Sequence, residues 1–155
     1  ILKDIAFGNT FFGLINNNQF GRYWASSPTN GIFDINKGDF VANAQLNASG
    51  APGWYCVQVL TPTLSTDASS ASTTITLSST SSVSAGDIIL LTKTSNPLVT
   101  GYYTAAEWHV DTVASVTNST QLVLTTGIPA GDGTYVAGTA AIRIVRFKSA
   151  PAIAA

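Results

Sequence analysis

The stretch HVDTVASVTNSTQLVLTT, residues 109–126, decides how this chain is read. Its two arms, HVDTVASV (109–116) and QLVLTT (121–126), alternate apolar and polar residues and are rich in Val and Thr. That is the two-residue period of a strand, not the three-and-four spacing of a helix. Between the arms, TNST is a short polar turn, so the stretch is expected to form a β-hairpin. The same pattern recurs in STTITLSS (72–79), DIILLT (87–92) and AAIRIVRF (140–147). The expected fold is all-β: a small antiparallel β-sandwich or barrel, preceded by other β elements.

Composition narrows the function. Lys and Arg total 7 against 8 Asp and Glu, a net charge of −1, which leaves no basic face for a phosphate backbone. Nucleic acid is therefore not expected as a partner. Charged residues make up only 10% of the chain, and Ser, Thr, Asn and Gly do most of the solvating. Such a neutral polar surface suits glycans or a multimer. No window approaches the roughly 18 apolar residues that a membrane helix needs, and the start is not that of a signal peptide. One cysteine, Cys56, excludes an internal disulfide, and without clustered His or Cys it cannot form a zinc site. No metal or cofactor is expected. The absence of any methionine suggests a piece of a longer polypeptide.

Three segments are expected along the chain. The opening, IAFGNTFFGLINNNQFGRYW, repeats Asn and Phe at close spacing with Gly at the bends. It reads either as the last rung of a β-helix or as an aromatic hairpin or arm, covering residues 1–27. Residues 28–60 form a second, hairpin-like unit. The small polar run TPTLSTDASSAST (61–73) marks the internal boundary, after which the β-domain extends over 61–155. Within it GIPAGDGTYVAG (127–138), with its glycines and proline, is expected to be a long exposed loop.

INKGDF (35–40) and VSAGDI (83–88) share one arrangement. Gly38 and Gly86 can take the positive φ of a tight turn, and Asp39 and Asp87 can accept backbone hydrogen bonds just before a strand begins. They are read as turn residues, since neither aspartate has an adjacent second carboxylate for catalysis or metal binding.

AAEWHVD (105–111) holds the single glutamate and the single histidine. On a strand Glu107, His109 and Asp111 project to one side, with Trp108, Val110 and Val113 expected on the other. A metal shell would need a second histidine, and a hydrolase would need a nucleophile on a tight elbow; the chain offers neither. The three are read as a solvated strand face, and no residue is assigned as catalytic. Cys56 and Trp54 share one face of an apolar strand and are expected in the core.

The binding candidates are aromatic residues flanked by amide and guanidinium groups. Asn18, Arg22, Tyr23 and Trp24 form one set, and Tyr102, Tyr103 and Trp108 form another beside Asn96, Pro97 and Gly101. Rings stack on the apolar faces of sugars while Asn and Arg reach hydroxyls. The alternative is that Phe20, Tyr23 and Trp24 bury against the domain or a neighbouring subunit.

GIFDINKGDFVANAQLNASGAPGWYCVQ (31–58) resembles a segment of many bacteriophage tail fibres and tailspikes. There an aromatic residue is followed by a KGD turn, a strand, a variable loop, and GWYCV or GWVCV. The matching residues are Phe33, Lys37, Gly38, Asp39, Asn43, Gly53, Trp54, Cys56 and Val57. After them QVLTPTLSTDA replaces the usual Gly-Thr-Pro-Gly-Thr-Trp segment. ITLSSTSSVSAGDIILL and the hairpin stretch above resemble a second module of such appendages, and RIVRFKSAPAIAA resembles their C-terminal ends.

The resemblance implies a homotrimer in the virion. It also implies a C-terminal region serving trimerisation, contact with a bacterial surface polysaccharide, or both. Alternatives are a capsid decoration protein, or part of a polysaccharide depolymerase whose catalytic β-helix lies upstream. A trimer would also bury apolar side chains that a 45% hydrophobic, weakly charged chain otherwise exposes.

Overall fold

A computed structural model describes residues 5–7, 10–12, 23–25, 35–43, 51–93 and 108–151. Every regular element among them is a strand, and none is a helix long and apolar enough to cross a membrane. In chain order the strands are β1 Ile5–Phe7, β2 Thr10–Phe12, β3 Tyr23–Ala25, β4 Phe40–Asn43 and β5 Gly53–Leu60. There follow β6 Thr74–Thr76, β7 Ile88–Thr92, β8 Trp108–Val116, β9 Gln121–Leu124 and β10 Ala141–Ser149. The chain forms two compact units, one of residues Ile1–Gln58 with Phe147–Ala155 and the other of Val59–Arg146.

In the first unit β1 and β2 make an antiparallel pair, β3 runs parallel to β4, and β4 is antiparallel to β5. Past the end of β10, Ala150 N–H donates to Gly53 O at 2.8 Å, tying the last strand to this unit. Among the described residues its buried side chains include Ile35, Val41, Cys56 and Ala150, with Asp39 the buried polar one. Trp54, expected in the core, is only half-buried, whereas Cys56 on the same strand is 1% exposed.

In the second unit the hydrogen-bonded order is β10-β7-β8-β9-β6, antiparallel throughout. Alternation places one face of each strand inward: Ile142 and Ile144 from β10, Ile89 and Leu91 from β7, Val113 from β8, Leu122 and Leu124 from β9, Ile75 from β6. The run IILLT of β7 is buried on both faces, which explains why it does not alternate. Residues 61–73 contribute Leu64 and Ala68 to the core, with isolated bridges to Leu77 and Tyr135, and so belong to this unit. STTITLSS is shorter as a strand than its pattern suggests, because pairing is confined to Thr74–Thr76 against β9.

The β8–β9 hairpin is closed by Asn118. Its Oδ1 accepts from Thr120 N at 2.9 Å, Gln121 N at 2.9 Å and Thr120 Oγ1 at 3.1 Å. Replacing Asn118 by Ala removes that acceptor at an exposed turn and is expected to cost about 1 kcal/mol in chemical denaturation.

The two Gly-Asp turns are built alike. Gly38 (φ 97°) and Gly86 (φ 89°) occupy the third position of their turns. Asp39 N–H donates to Asn36 O at 3.0 Å, and Asp87 N–H to Ser84 O at 3.2 Å. Each aspartate Oδ2 accepts the N–H of the first turn residue, Asn36 at 2.8 Å and Ser84 at 2.9 Å. Each turn is also clipped to the partner strand. Gly38 N–H meets Cys56 O and Cys56 N–H meets Asp39 O, just as Gly86 meets Val113 and Val113 meets Asp87. The second turn carries one further fastening: Arg146 grips Asp87 through Nε at 2.6 Å and Nη2 at 2.8 Å, and its Nη2 also reaches Ser82 O.

Candidate functional site

Strand β8 carries the histidine and aspartate of the charged cluster, and its burial corrects the expected solvated face. His109 is 8% exposed and Asp111 7%, and Val113 is buried on their side of the strand, while Trp108, Val110 and Thr112 are half-buried. The bulge that shifts register between Val113 and Ser115 ends this inward run. Glu107 lies outside the described residues.

Asp111 tolerates burial because the returning chain supplies donors. Its Oδ2 accepts Thr126 Oγ1 at 2.9 Å, Thr126 N at 3.1 Å and Gly127 N at 2.8 Å, and its Oδ1 accepts Thr112 N at 2.6 Å. Burial alone pushes its pKa up, but these hydrogen bonds more than reverse that, leaving it below the ordinary carboxylate value of 3.8.

The 127–138 loop is exposed over most of its residues, as expected, but it is anchored at buried points. Ile128 and Tyr135 are buried at 2% and 0%, and Tyr135 exchanges backbone hydrogen bonds with Ala68 at 2.9 Å each way. Tyr135 OH donates to Asp132 Oδ2 at 3.3 Å. Burial, then the charge of Asp132, holds the phenol well above its ordinary pKa of 10. A phenol this buried is out of a substrate's reach, and Asp111 Oδ2 is already filled by donors. The cluster is built to hold the loop. Among the described residues no group of three or more His, Cys, Asp or Glu could hold a metal ion.

The sugar-facing candidates divide. Asn18, Arg22, Tyr102 and Tyr103 lie outside the described residues. Tyr23 and Trp24 lie in β3, in register with Val41 and Ala42 of β4. Trp108 opens β8 opposite Thr92 and is half-buried.

A further aromatic site was not singled out from sequence. Tyr55 stands opposite Phe40 across β4 and β5, with ring centroids 4.8 Å apart and planes tilted by 46°. Tyr55 is 47% exposed and Val57, two residues along the same face of β5, is 37% exposed. The signal was present in GWYCVQV: if Cys56 points inward, strand alternation turns Tyr55 and Val57 outward. Lys37 in the preceding turn is also exposed. This open aromatic pair can stack on an apolar sugar face or pack against another protein surface.

These features define an all-β protein. No family model matches the sequence, and no curated protein matches it. Among solved structures the chain is similar to the Gp54 tailspike of Acinetobacter baumannii bacteriophage AP22, solved in complex with A. baumannii capsular saccharide. The identity is 16% and the TM-score 0.44, and the match covers 57% of this chain and 15% of that one.

Proposed function

We propose that this chain is a non-catalytic C-terminal region of a phage tailspike or tail fibre. In the virion it forms a homotrimer that stabilises the appendage and contacts a bacterial surface polysaccharide. The observation that carries the reading is the open Phe40–Tyr55 pair, with Tyr55 47% exposed, set inside the KGD-to-GWYCV segment that resembles phage appendages. The near-neutral charge agrees with recognition through ring faces and hydroxyl-binding amides rather than through ion pairs. Asn18, Arg22, Tyr23, Trp24, Tyr102, Tyr103 and Trp108 are the further residues assigned to this contact.

Light scattering on the eluting peak of a sizing column is expected to give three times the chain mass; a monomer would remove the assembly half of the proposal. On an array of bacterial polysaccharides the intact chain is expected to bind at least one glycan. Tyr55→Ala is expected to weaken that binding about tenfold, equivalent to ~1.4 kcal/mol. Binding that is unaltered in Tyr55→Ala, Trp24→Ala and Trp108→Ala would place recognition elsewhere.

A further inference from the structure

Strand β10 carries two arginines, and only one of them is paired. Arg146 closes the edge of its guanidinium on a carboxylate, Nε to Asp87 Oδ1 at 2.6 Å and Nη2 to Asp87 Oδ2 at 2.8 Å. Arg143 has the same two donors, Nε and Nη2, buried and without a hydrogen-bond partner. Charged donors left unpaired away from water cost free energy that a bidentate anion recovers. Among the described residues every carboxylate is engaged elsewhere: Asp39 accepts Asn36 N, Asp67 accepts Ala137 N, Asp87 holds Arg146, Asp111 accepts Gly127 N, and Asp132 accepts Tyr135 OH.

Arg143 stands on the face of the sheet opposite the core, within the second unit. Its neighbours Ile142 and Ile144 join the core, as do Ile89 and Leu91 of β7. Register then sets Arg143 in one row with Leu90 and Val110, and Thr92 and Trp108 in the next row on the same face. Leu90 is buried, whereas Arg143, Val110 and Trp108 are half-buried, so this face is partly open to solvent. Two strands across and two residues along, the Cα atoms of Arg143 and Trp108 are about 12 Å apart. Two long side chains and one sugar ring span that gap.

We propose that Arg143 is the carboxylate-binding residue of a saccharide site on this face, taking a uronic acid or similar sugar acid whose ring rests on Trp108. The inference rests on the polysaccharide-binding reading above and narrows it to acidic glycans. Turning the half-buried guanidinium toward solvent brings its fork to the ligand. Pairing there replaces an unsatisfied buried edge with two charge-assisted hydrogen bonds. This one ionic contact fixes the position of a sugar that is otherwise held by its ring face.

Two measurements on the whole chain test the site. In NMR of nitrogen-labelled protein, the Nε–H resonance of Arg143 is identified by its absence in Arg143→Gln, with Arg143→Lys serving where the first does not fold. It is expected to shift and saturate on titration with sodium glucuronate at fixed ionic strength, and to ignore glucose. On the polysaccharide array the bound glycans are expected to contain sugar acids, and reducing their carboxylates to alcohols is expected to weaken binding about tenfold. Arg143→Gln is expected to lose the same factor, and then nothing more on reduction, because the two changes remove the two halves of one contact. Its thermal midpoint is expected to hold, since the guanidinium it removes has no partner. A resonance unmoved by glucuronate, or a reduction penalty that persists in Arg143→Gln, overturns the carboxylate site and leaves binding of neutral glycans standing. An empty array beside a saturating glucuronate response fails the polysaccharide reading alone and keeps the Arg143 site.

Discussion

Asp111→Ala is expected to destabilise the second unit by about 3–4 kcal/mol, the largest loss from a single polar side chain here. The substitution removes the shared acceptor of Thr112 N, Thr126 N, Thr126 Oγ1 and Gly127 N; Gly127 is buried and Thr112 half-buried, while Thr126 is exposed. Buried donors left without an acceptor cost more than the net value of the bonds they lose. The thermal midpoint should drop by roughly 10 °C. Asp111→Asn, which keeps one oxygen acceptor, should lose about half as much. The folded carboxylate titrates below its ordinary 3.8, so its contribution is fully present above that value and is lost as pH falls through the folded pKa. The gap between wild type and Asp111→Ala should therefore be wide at pH 6 and close in strong acid. A gap that did not narrow would mean that the alanine acts through packing rather than through lost charge-assisted hydrogen bonds.

Gly53→Ala is expected to cost about 2–3 kcal/mol in the first unit, for a reason of space. A Cβ at residue 53 would overlap the carbonyl oxygen of Val41 on the paired strand and lie 2.5 Å from Cζ of Phe40. Relief requires β4 and β5 to part or the Phe40 ring to swing away from Tyr55. Polysaccharide binding should weaken along with stability if the open aromatic pair is the contact. Gly131→Ala is the matched control: a Cβ there meets nothing within 4 Å, and the effect should stay within about 0.5 kcal/mol. Chemical denaturation followed by tryptophan fluorescence measures both. Equal effects at the two positions would mean that the close approach at Gly53 relaxes freely.

The strands were legible where turn chemistry and alternation agree. HVDTVASVTNSTQLVLTT forms its hairpin because Asn118 organises the turn locally and both arms bury alternate residues. Gly-Asp turns are similarly local, and glycine supplies their positive φ. The face of β8 was misread because His109 and Asp111 look solvated in sequence. What permits the burial of Asp111 is a set of donors at Thr126 and Gly127, reached only after the chain has turned back. The 127–138 loop is exposed at most of its residues, as its four glycines suggest, while two separated apolar anchors, Ile128 and Tyr135, draw it inward at those points. As for the candidate site, Tyr55 could have been found from parity alone. Its contact with Phe40 depends on the β4–β5 register, which no local pattern fixes.

Strand β10 has a consequence for how this chain can be recombined. Its residues through Arg146 belong to the second unit and those from Phe147 onward to the first. The second unit is therefore an insertion within the first, with Gln58 and Phe147 as its flanks. A crossover that exchanged residues 59–146 would transplant one unit whole and keep both pieces of its host. A crossover at 58 alone would separate the first unit from its own closing segment. Chimaeras with two junctions should fold where single-junction chimaeras fail, and diversity in this architecture is best exchanged as a cassette.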